Sequence, residues 1–333
     1  MFPAPSRISR RRALQVSAAA LVVFGLLAWW LLPIGQTSPK GKLTFSTGSQ
    51  NGVYQRYGVL LKDALARDLP DVSIDLRTSE GSQQNLARVA TGEADFTIAT
   101  ADAVAKYKRD RKPGADRLRG CARLYDDYVQ LVVPRGSQVQ SVRDLRGKRV
   151  AIGQAGSGVR LIAERLLTAA GIDPKKDITP LPAGIDTVLG RLEAHELDAF
   201  FWSGGLPTAA VEALSERFQI QLVPLDAALV EKLHSTSSDT TSYYRAAVMP
   251  ADAYLEAQGG LPVPTVAVAN LLVTTDRIDP AMAEGFTRTV IKSRDRIGNT
   301  VHPAQLVDLR TAVYTDPLPL HEGARRYYRS VKP

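Results

Sequence analysis

The chain has 333 residues, of which 44% are hydrophobic and 23% charged, with a formal net charge of +8. That length is enough for one large two-lobed domain or two ordinary ones, with a sizeable core. Residues 1–40 hold five basic side chains (Arg7, Arg10, Arg11, Arg12, Lys40) and no acid, which leaves 37 basic against 34 acidic groups in the rest, so the charge gives little support to a nucleic-acid partner and none is expected.

The N-terminal stretch "SRRRALQVSAAALVVFGLLAWWLLP" sets three arginines before an apolar run, residues 13–32, broken only by Gln15 and Ser17. Twenty helical residues span about 30 Å, the thickness of a bilayer's hydrocarbon core. The arginines predict a cytoplasmic N-terminus, and Trp29 and Trp30 suit the far interface. A cleaved signal peptide, of Sec or twin-arginine type, is the competing reading. No small-x-small site follows in "LLPIGQTSPKGK", however, and the only cysteine, Cys121, is far from a lipobox position. The expectation is an uncleaved membrane anchor: a basic flank over 1–12, one transmembrane helix over 13–32, a linker over 33–41, and an extracytoplasmic domain over 42–333.

From Lys42 onward strands and helices alternate. "KLTFST" is a strand that ends in "GSQNGVYQRYG", a glycine-rich turn leading into a helical pattern at Val53, Tyr57, Leu60, Leu61 and Ala64. "VSIDLR" is a strand, "SQQNLARVATG" a helix ending at Gly92, and "ADFTIAT" a buried strand. A basic, polar stretch, "KYKRDRKPGADRLRG", interrupts before the strong strand "RLYDDYVQLVVP". "VAIGQAGSGVRLIAERLLTAAG" repeats strand, glycine loop and helix, with Ser157 placed to cap the start and Gly171 the end. "ELDAFFWSGGLPTAAVEAL" does so again. This alternation predicts an α/β fold on a largely parallel sheet, with three similar loops at strand carboxyl ends, where such sheets bind ligands.

Helix N-termini at those loops offer free N–H groups and a positive dipole end, which suit an anion. Gly48, Gly52, Gly156 and Gly158 let backbone approach a ligand, and Ser46, Ser49, Gln50, Asn51 and Ser157 add neutral hydrogen-bonding groups. With no P-loop lysine, the loops suit a carboxylate better than a triphosphate. Tyr54 and Trp202 are placed to form ligand walls or to serve as rim aromatics.

Catalytic and metal chemistry is absent from the pattern. His195, His234, His302 and His321 have no metal-type spacing, and GxSxG, HExxH and a P-loop are missing. One cysteine forms no intramolecular disulfide and no cysteine-rich zinc site, and Cys121 reads as an inert packed thiol. The adjacent acids Asp126 and Asp127 of "YDDY" point to opposite faces of a strand and make no catalytic pair. No catalytic residue, metal or cofactor is expected.

In this order and spacing, "STGSQNGVYQRYG", "GEADFTIATADAV", "LRGKRVAIGQAGSGVRLIAERLL", "LDAFFWSGGLPTAAV" and the closing "PLPLHEGARRYYRS" resemble the TAXI subfamily of TRAP-transporter solute-binding proteins over Leu43 to about Tyr328. The resemblance implies a type II periplasmic-binding-protein-like fold, two lobes with a hinge, preceded here by the N-terminal transmembrane helix. One lobe would cover about 42–131 and 246–333, the other about 132–245, with crossings near Leu131–Arg135 and Tyr243–Ala247. It also implies a non-enzymatic receptor that captures a small organic acid or amino acid, glutamate-like, and delivers it to TRAP-type permease membrane subunits. Carried onto this sequence, the ligand-binding set is Gly48, Ser49, Asn51, Gly52 and Tyr54; Ser79, Gly81, Ser82 and Asn85; Thr100 and Asp102; Gln154, Gly156 and Ser157; and Trp202, Ser203 and Gly204. Two departures are visible: Gln50-Asn51-Gly52 where members often have paired glycines, and "TSEGS" where they have a "TGGS"-like loop. Facing the cleft, Glu80 would oppose a dianion and favour a zwitterion or a larger ligand; pointing outward, as an exposed loop carboxylate usually does, it says nothing about the ligand. The alternative function is a membrane-anchored sensing or interaction module on the same fold.

Overall fold

The computed structural model describes residues 22–24, 39–236 and 239–331. The chain divides into two compact units, Met1–Ser38 and Pro39–Pro333. In the first, residues 22–24 are helical and exposed, and the rest of the expected anchor lies outside the described residues. Among the described residues no helix is long and apolar enough to cross a membrane.

The second unit is built on one sheet of ten strands. Its main path runs β2 (Val72–Arg77), β1 (Gly41–Ser46), β3 (Phe96–Thr100), β10 (Val263–Thr275), β4 (Leu118–Pro134), β7 (Ala199–Gly204), β5 (Arg149–Ala151) and β6 (Thr179–Leu181). Off this path, β8 (Ile220–Val223) pairs with β4 and β9 (Tyr244–Met249) pairs with β10. The pairs β1–β2, β1–β3, β5–β6 and β5–β7 are parallel, whereas every pair made by β4 or β10 is antiparallel. The sheet is therefore mixed, not largely parallel as the alternation of elements predicts. The antiparallel direction enters through β4 and β10, the two long strands whose every pairing in the sheet is antiparallel.

Each half of the sheet is covered on both faces. On the first half, α1 (Val53–Asp68), α9 (Pro280–Gly298) and α11 (Glu322–Val331) bury Tyr57, Leu61, Leu65, Phe286 and Tyr328 against Phe45, Phe96 and Ile98. The opposite face carries α2 (Ser82–Thr91) and α3 (Ala101–Arg109), through Leu86, Val89 and Val104. In α2 the buried residues Ser82, Asn85, Leu86 and Val89 follow the helical period, and Gly92 ends the helix in the left-handed region at φ 89°. On the second half, α4 (Gly158–Ala169) and α7 (Ala227–Thr236) cover one face. The other face is covered by α5 (Ile185–Glu193), α6 (Ala209–Arg217) and α8 (Leu255–Gln258). Ser157 caps α4 as its sequence predicts, accepting the Arg160 N–H at 3.0 Å. The short helix Leu309–Ala312 is α10.

The change from one half to the other falls elsewhere than at Leu131–Arg135 and Tyr243–Ala247. Val129 and Leu131 on β4, and Val266 and Val268 on β10, already belong to the second core. Met249, Tyr254 and Ala257 also pack there. Tyr125 and Leu271 belong to the first half. The chain thus changes halves inside β4, near Asp127, and inside β10, near Asn270. Both strands continue through the boundary, so no turn or loop marks it.

At the centre of the first core Phe286 stacks on Phe96 with ring centroids 4.0 Å apart and lies parallel to Phe45 at 6.2 Å. Phe286→Ala is expected to lose about 3–5 kcal/mol of stability, since it empties a fully enclosed ring site. Urea denaturation followed by circular dichroism measures it, and a loss below about 1 kcal/mol would mean that the site collapses without cost.

Candidate functional site

Four helix N-termini meet between the halves. The N-cap residues Gly52 of α1 and Gly81 of α2 belong to the first half, Ser157 of α4 and Gly184 of α5 to the second. They surround a cleft of about 690 Å³, counting its opening to solvent. The loops hold this arrangement by local bonds. Gly52 N–H donates to the Ser49 carbonyl at 2.9 Å, and the Ser79 hydroxyl donates to the Thr47 carbonyl at 3.0 Å, tying the first loop to the second. Gly81 sits at φ +124°, a conformation that L side chains rarely adopt, and a Cβ there would stand 3.4 Å from the Ser157 Cα of the facing half.

Of the residues expected from sequence, the cleft is lined by Gly48, Ser49, Gly52, Tyr54, Gly81, Ser82, Thr100, Gln154, Ser157, Trp202, Ser203 and Gly204. Five others lie elsewhere. Asn85 is fully buried beneath the loops, donating from Nδ2 to the carbonyls of Thr47 at 2.6 Å and Ile98 at 3.0 Å. Ser79 spends its hydroxyl on the loop contact already given. Asp102 accepts from Arg165 Nη1 at 3.1 Å and from the Tyr244 hydroxyl at 2.6 Å, a buried pairing that joins the halves away from the cleft. Gly156 contributes its carbonyl, which accepts the Gln83 and Gln84 N–H groups at 3.0 and 3.1 Å across the boundary. Asn51 is exposed, and its N–H donates to Asp186 of the second half at 3.0 Å. These five organise or close the cleft without lining it.

The two expected aromatic walls differ in what they present. Trp202 donates its indole N–H to Thr208 at 3.1 Å, so only ring carbon is left for the cleft. Tyr54 is half-buried, and its hydroxyl donates to Asn270 Oδ1. Burial first, and the Asp127 charge second, hold that phenol well above its usual pKa.

Sequence reasoning missed the group that dominates the site. Asp127 lines the cleft at 3% exposure and accepts from Asn270 Nδ2 at 2.7 Å. Burial pushes its carboxyl up to about 7, the Asn270 amide opposes this, and the nearby Asp126 and Asp102 charges add to it. Ser203, close enough to lower that value slightly, has a buried hydroxyl with no hydrogen bond of regular geometry. Asp126 turns the other way, to Arg123 at 2.6 Å and to Arg245. The sequence signal was the strand alternation itself: of two adjacent acids in a strand buried on both faces, one must point inward. Asn270, a lone amide within the apolar strand β10, was a second signal. Also missed were Gly184, Ile185 and Val188, since β6 is only three residues long and contains Pro180.

The charged residues lining the cleft are Glu80, exposed at its mouth, and Asp127; no Lys, Arg or His lines it among the described residues. Val159, Ala183, Ile185, Val188, Phe201 and Trp202 make the second-half wall apolar. Among the described residues no group of His, Cys, Asp and Glu could hold a metal ion. The arrangement offers the N-termini of α1, α4 and α5, a buried carboxylate and an apolar wall, while α2 spends its first N–H groups on the Gly156 carbonyl.

Solved structures of similar fold include a putative L-cystine ABC transporter protein from Listeria monocytogenes, 13% identical, with a TM-score of 0.52 over 80% of this chain and 98% of that one. A protein from Bordetella bronchiseptica RB50 is 15% identical, with a TM-score of 0.51 over 88% and 90%. The alkanesulfonate-binding protein SsuA from Xanthomonas axonopodis pv. citri, bound to MOPS, is 18% identical, with a TM-score of 0.48 over 89% and 86%. At these identities the first two likenesses establish the fold, an α/β periplasmic-binding-protein-like one. The family model for the NMT1-like family matches residues 45–331, nearly the whole second unit, and the chain belongs to the NMT1-like family.

Proposed function

We propose that the chain is an extracytoplasmic solute-binding receptor, not an enzyme, which encloses a small carboxylate or amino acid between its halves and delivers it to a membrane permease. The observation that carries this is the cleft itself: helix N-termini from both halves converge on one enclosed space, so a single ligand contacts both halves and favours their contact. The sequence blocks that resemble the TAXI subfamily support a TRAP-type permease as the partner. The arginine-flanked apolar run over 13–32 supports a single-pass anchor with the second unit outside the cytoplasm. A glutamate-like ligand fits less well than the other members of this class, because among the described residues the cleft offers no cationic side chain to a second carboxylate.

Native mass spectrometry of the full-length chain, released from detergent, is expected to find a co-purifying small organic solute. Saturating that solute at about 100 times its Kd should add roughly 2.7 kcal/mol of stability. Small-angle neutron scattering with contrast-matched detergent should then show a smaller radius of gyration. A bound solute without compaction refutes capture by closure.

The halves meet through small residues, which gives a sharper test. A Cβ added at Gly158, the first residue of α4, would lie 3.0 Å from Ser82 Oγ in the opposite half, with no positive φ to strain it. Gly158→Ala, at the first helical position, is expected to change unliganded stability by less than about 1 kcal/mol while weakening ligand binding severalfold, because closure now meets the added methyl. Thermal unfolding without ligand and calorimetric titration with it separate the two effects. Unchanged affinity would show that the halves do not approach this closely when the ligand is bound.

A further inference from the structure

Resting on the receptor reading above, we propose that the ligand is a small zwitterion with an apolar tail, whose ammonium group is held by Asp127 and Ser203 on the floor of the cleft. The argument begins with a mismatch. Asp127 is an acid at 3% exposure, hydrogen-bonded to one neutral amide, with no cationic side chain lining the same cleft among the described residues. A carboxylate so placed is costly to ionise unless an incoming positive group compensates it. Ser203 beside it carries a buried hydroxyl with no regular partner, so an acceptor for a further N–H is already present. A dicarboxylate or phosphate would put its charge against Asp127 and Glu80 with no cationic side chain to offset it.

The neighbours fix the orientation of this subsite. Tyr54 donates to Asn270 Oδ1, which commits the Asn270 amide nitrogen to face Asp127, where it donates to Oδ1. The relay Tyr54, Asn270, Asp127 thus leaves the rest of the carboxylate for the cleft. Helix N-termini on the cleft rim suit the ligand's own carboxylate, and Val159, Ile185, Val188, Phe201 and Trp202 provide a surface for an apolar tail. The two polar ends of the ligand are thereby assigned to different groups of the cleft, an arrangement that a simple carboxylate cannot satisfy.

The charged and titratable groups facing Asp127 are few. Tyr54 comes from α1, and Asp102 from α3 is paired with Arg165 of α4. On its own strand lie Asp126, paired with Arg123 and Arg245, and Tyr125, whose phenol burial holds well above its usual range. From β7 and β10 come the uncharged Ser203 and Asn270, and Glu80 stands at the mouth. With the free carboxyl protonating near 7, an ammonium ligand must displace that proton below neutral pH. Affinity should therefore fall as pH drops through 7, by about tenfold per unit well below it.

The test uses the full-length chain and matched probe pairs differing only in the amino group: L-leucine with 4-methylpentanoate, L-phenylalanine with 3-phenylpropanoate, and L-glutamate with glutarate. At millimolar concentration an apolar amino acid is expected to bind and its deamino partner to bind about ten- to a hundredfold more weakly. Asp127→Asn should erase that difference and the pH dependence, and Ser203→Ala should reduce it. Unliganded Asp127→Asn should be at least as stable as the parent at pH 8, because a raised carboxyl pKa costs stability as pH rises toward 7, and the amide avoids that cost. Asp126→Asn, on the opposite face of β4, should keep the preference for the amine. Equal or tighter binding of the deamino partners overturns this inference and leaves the receptor reading intact. Binding of no probe from either set overturns the inference and the small-carboxylate reading together.

Discussion

The pairing of β4 with β10 is the constraint on which the rest of the molecule depends. The two strands pair antiparallel from Leu118 to Tyr128 on β4 and from Ala267 to Thr275 on β10, and both run on into the second half, where β4 pairs with β7 and β8 and β10 with β9. The register between them is not uniform. From Ala269 to Leu271 on β10 the partner strand moves from Asp126 to Arg123, one residue more, and it gains another between Leu272 and Val273. Such bulges bend a strand and re-aim its side chains. Asn270 sits at the first of them, omitted from the β4 register yet paired with Thr100 on β3, and from there its amide reaches Asp127. The polar pair at the cleft is thus placed by an irregularity in the strand pair that also joins the halves.

Contact between the halves is made largely by backbone. Gln83 and Gln84 donate their N–H groups to the Gly156 carbonyl, Gln83 Nε2 donates to the Ser157 carbonyl at 2.8 Å, and Asn51 N–H meets Asp186. Small residues at Gly81 and Gly158 allow the approach. Away from the cleft a different device operates: Arg165, enclosed by Asp102, Tyr244 and Thr240, forms a buried pair whose charges leave water only when the halves meet. Leu161, on the same face of α4, packs into the first half's core beside them. Buried pairs of this kind contribute modestly to net stability but discriminate strongly against any arrangement that leaves one charge alone. The pair therefore selects one relative placement of the halves, while the backbone contacts at the cleft rim add little specificity of their own.

Much of this was legible in the sequence because the signals were local. The strand–glycine–helix pattern marked the loops after β1, β5 and β7, the Ser157 cap and the Gly92 stop were readable, and so was the α/β class. Strand direction was not, since β4 and β10 carry the same apolar run whichever way they lie. The point where the chain passes between halves was hidden because no turn or loop marks it. Asp102 and Asn85 stood in the right motifs, but their burial depends on partners 63 and 38 residues away, Arg165 and Thr47. Asp127 is the converse case: strand alternation separates it from Asp126 as a pair, and the same alternation points it inward.

Cys121, read from the sequence as inert, is fully buried on β4, and burial raises its thiol to about 12. The chain contains no other cysteine. Thiol chemistry therefore starts from a silent background, with no residue to remove and no core to disturb. The exposed rim positions Asn51 and Asp186, which touch across the cleft mouth, are natural places for an introduced cysteine carrying an environment-sensitive dye. A dye at either position would then report directly on whether these two residues stay in contact, with no other thiol in the chain to compete for the label.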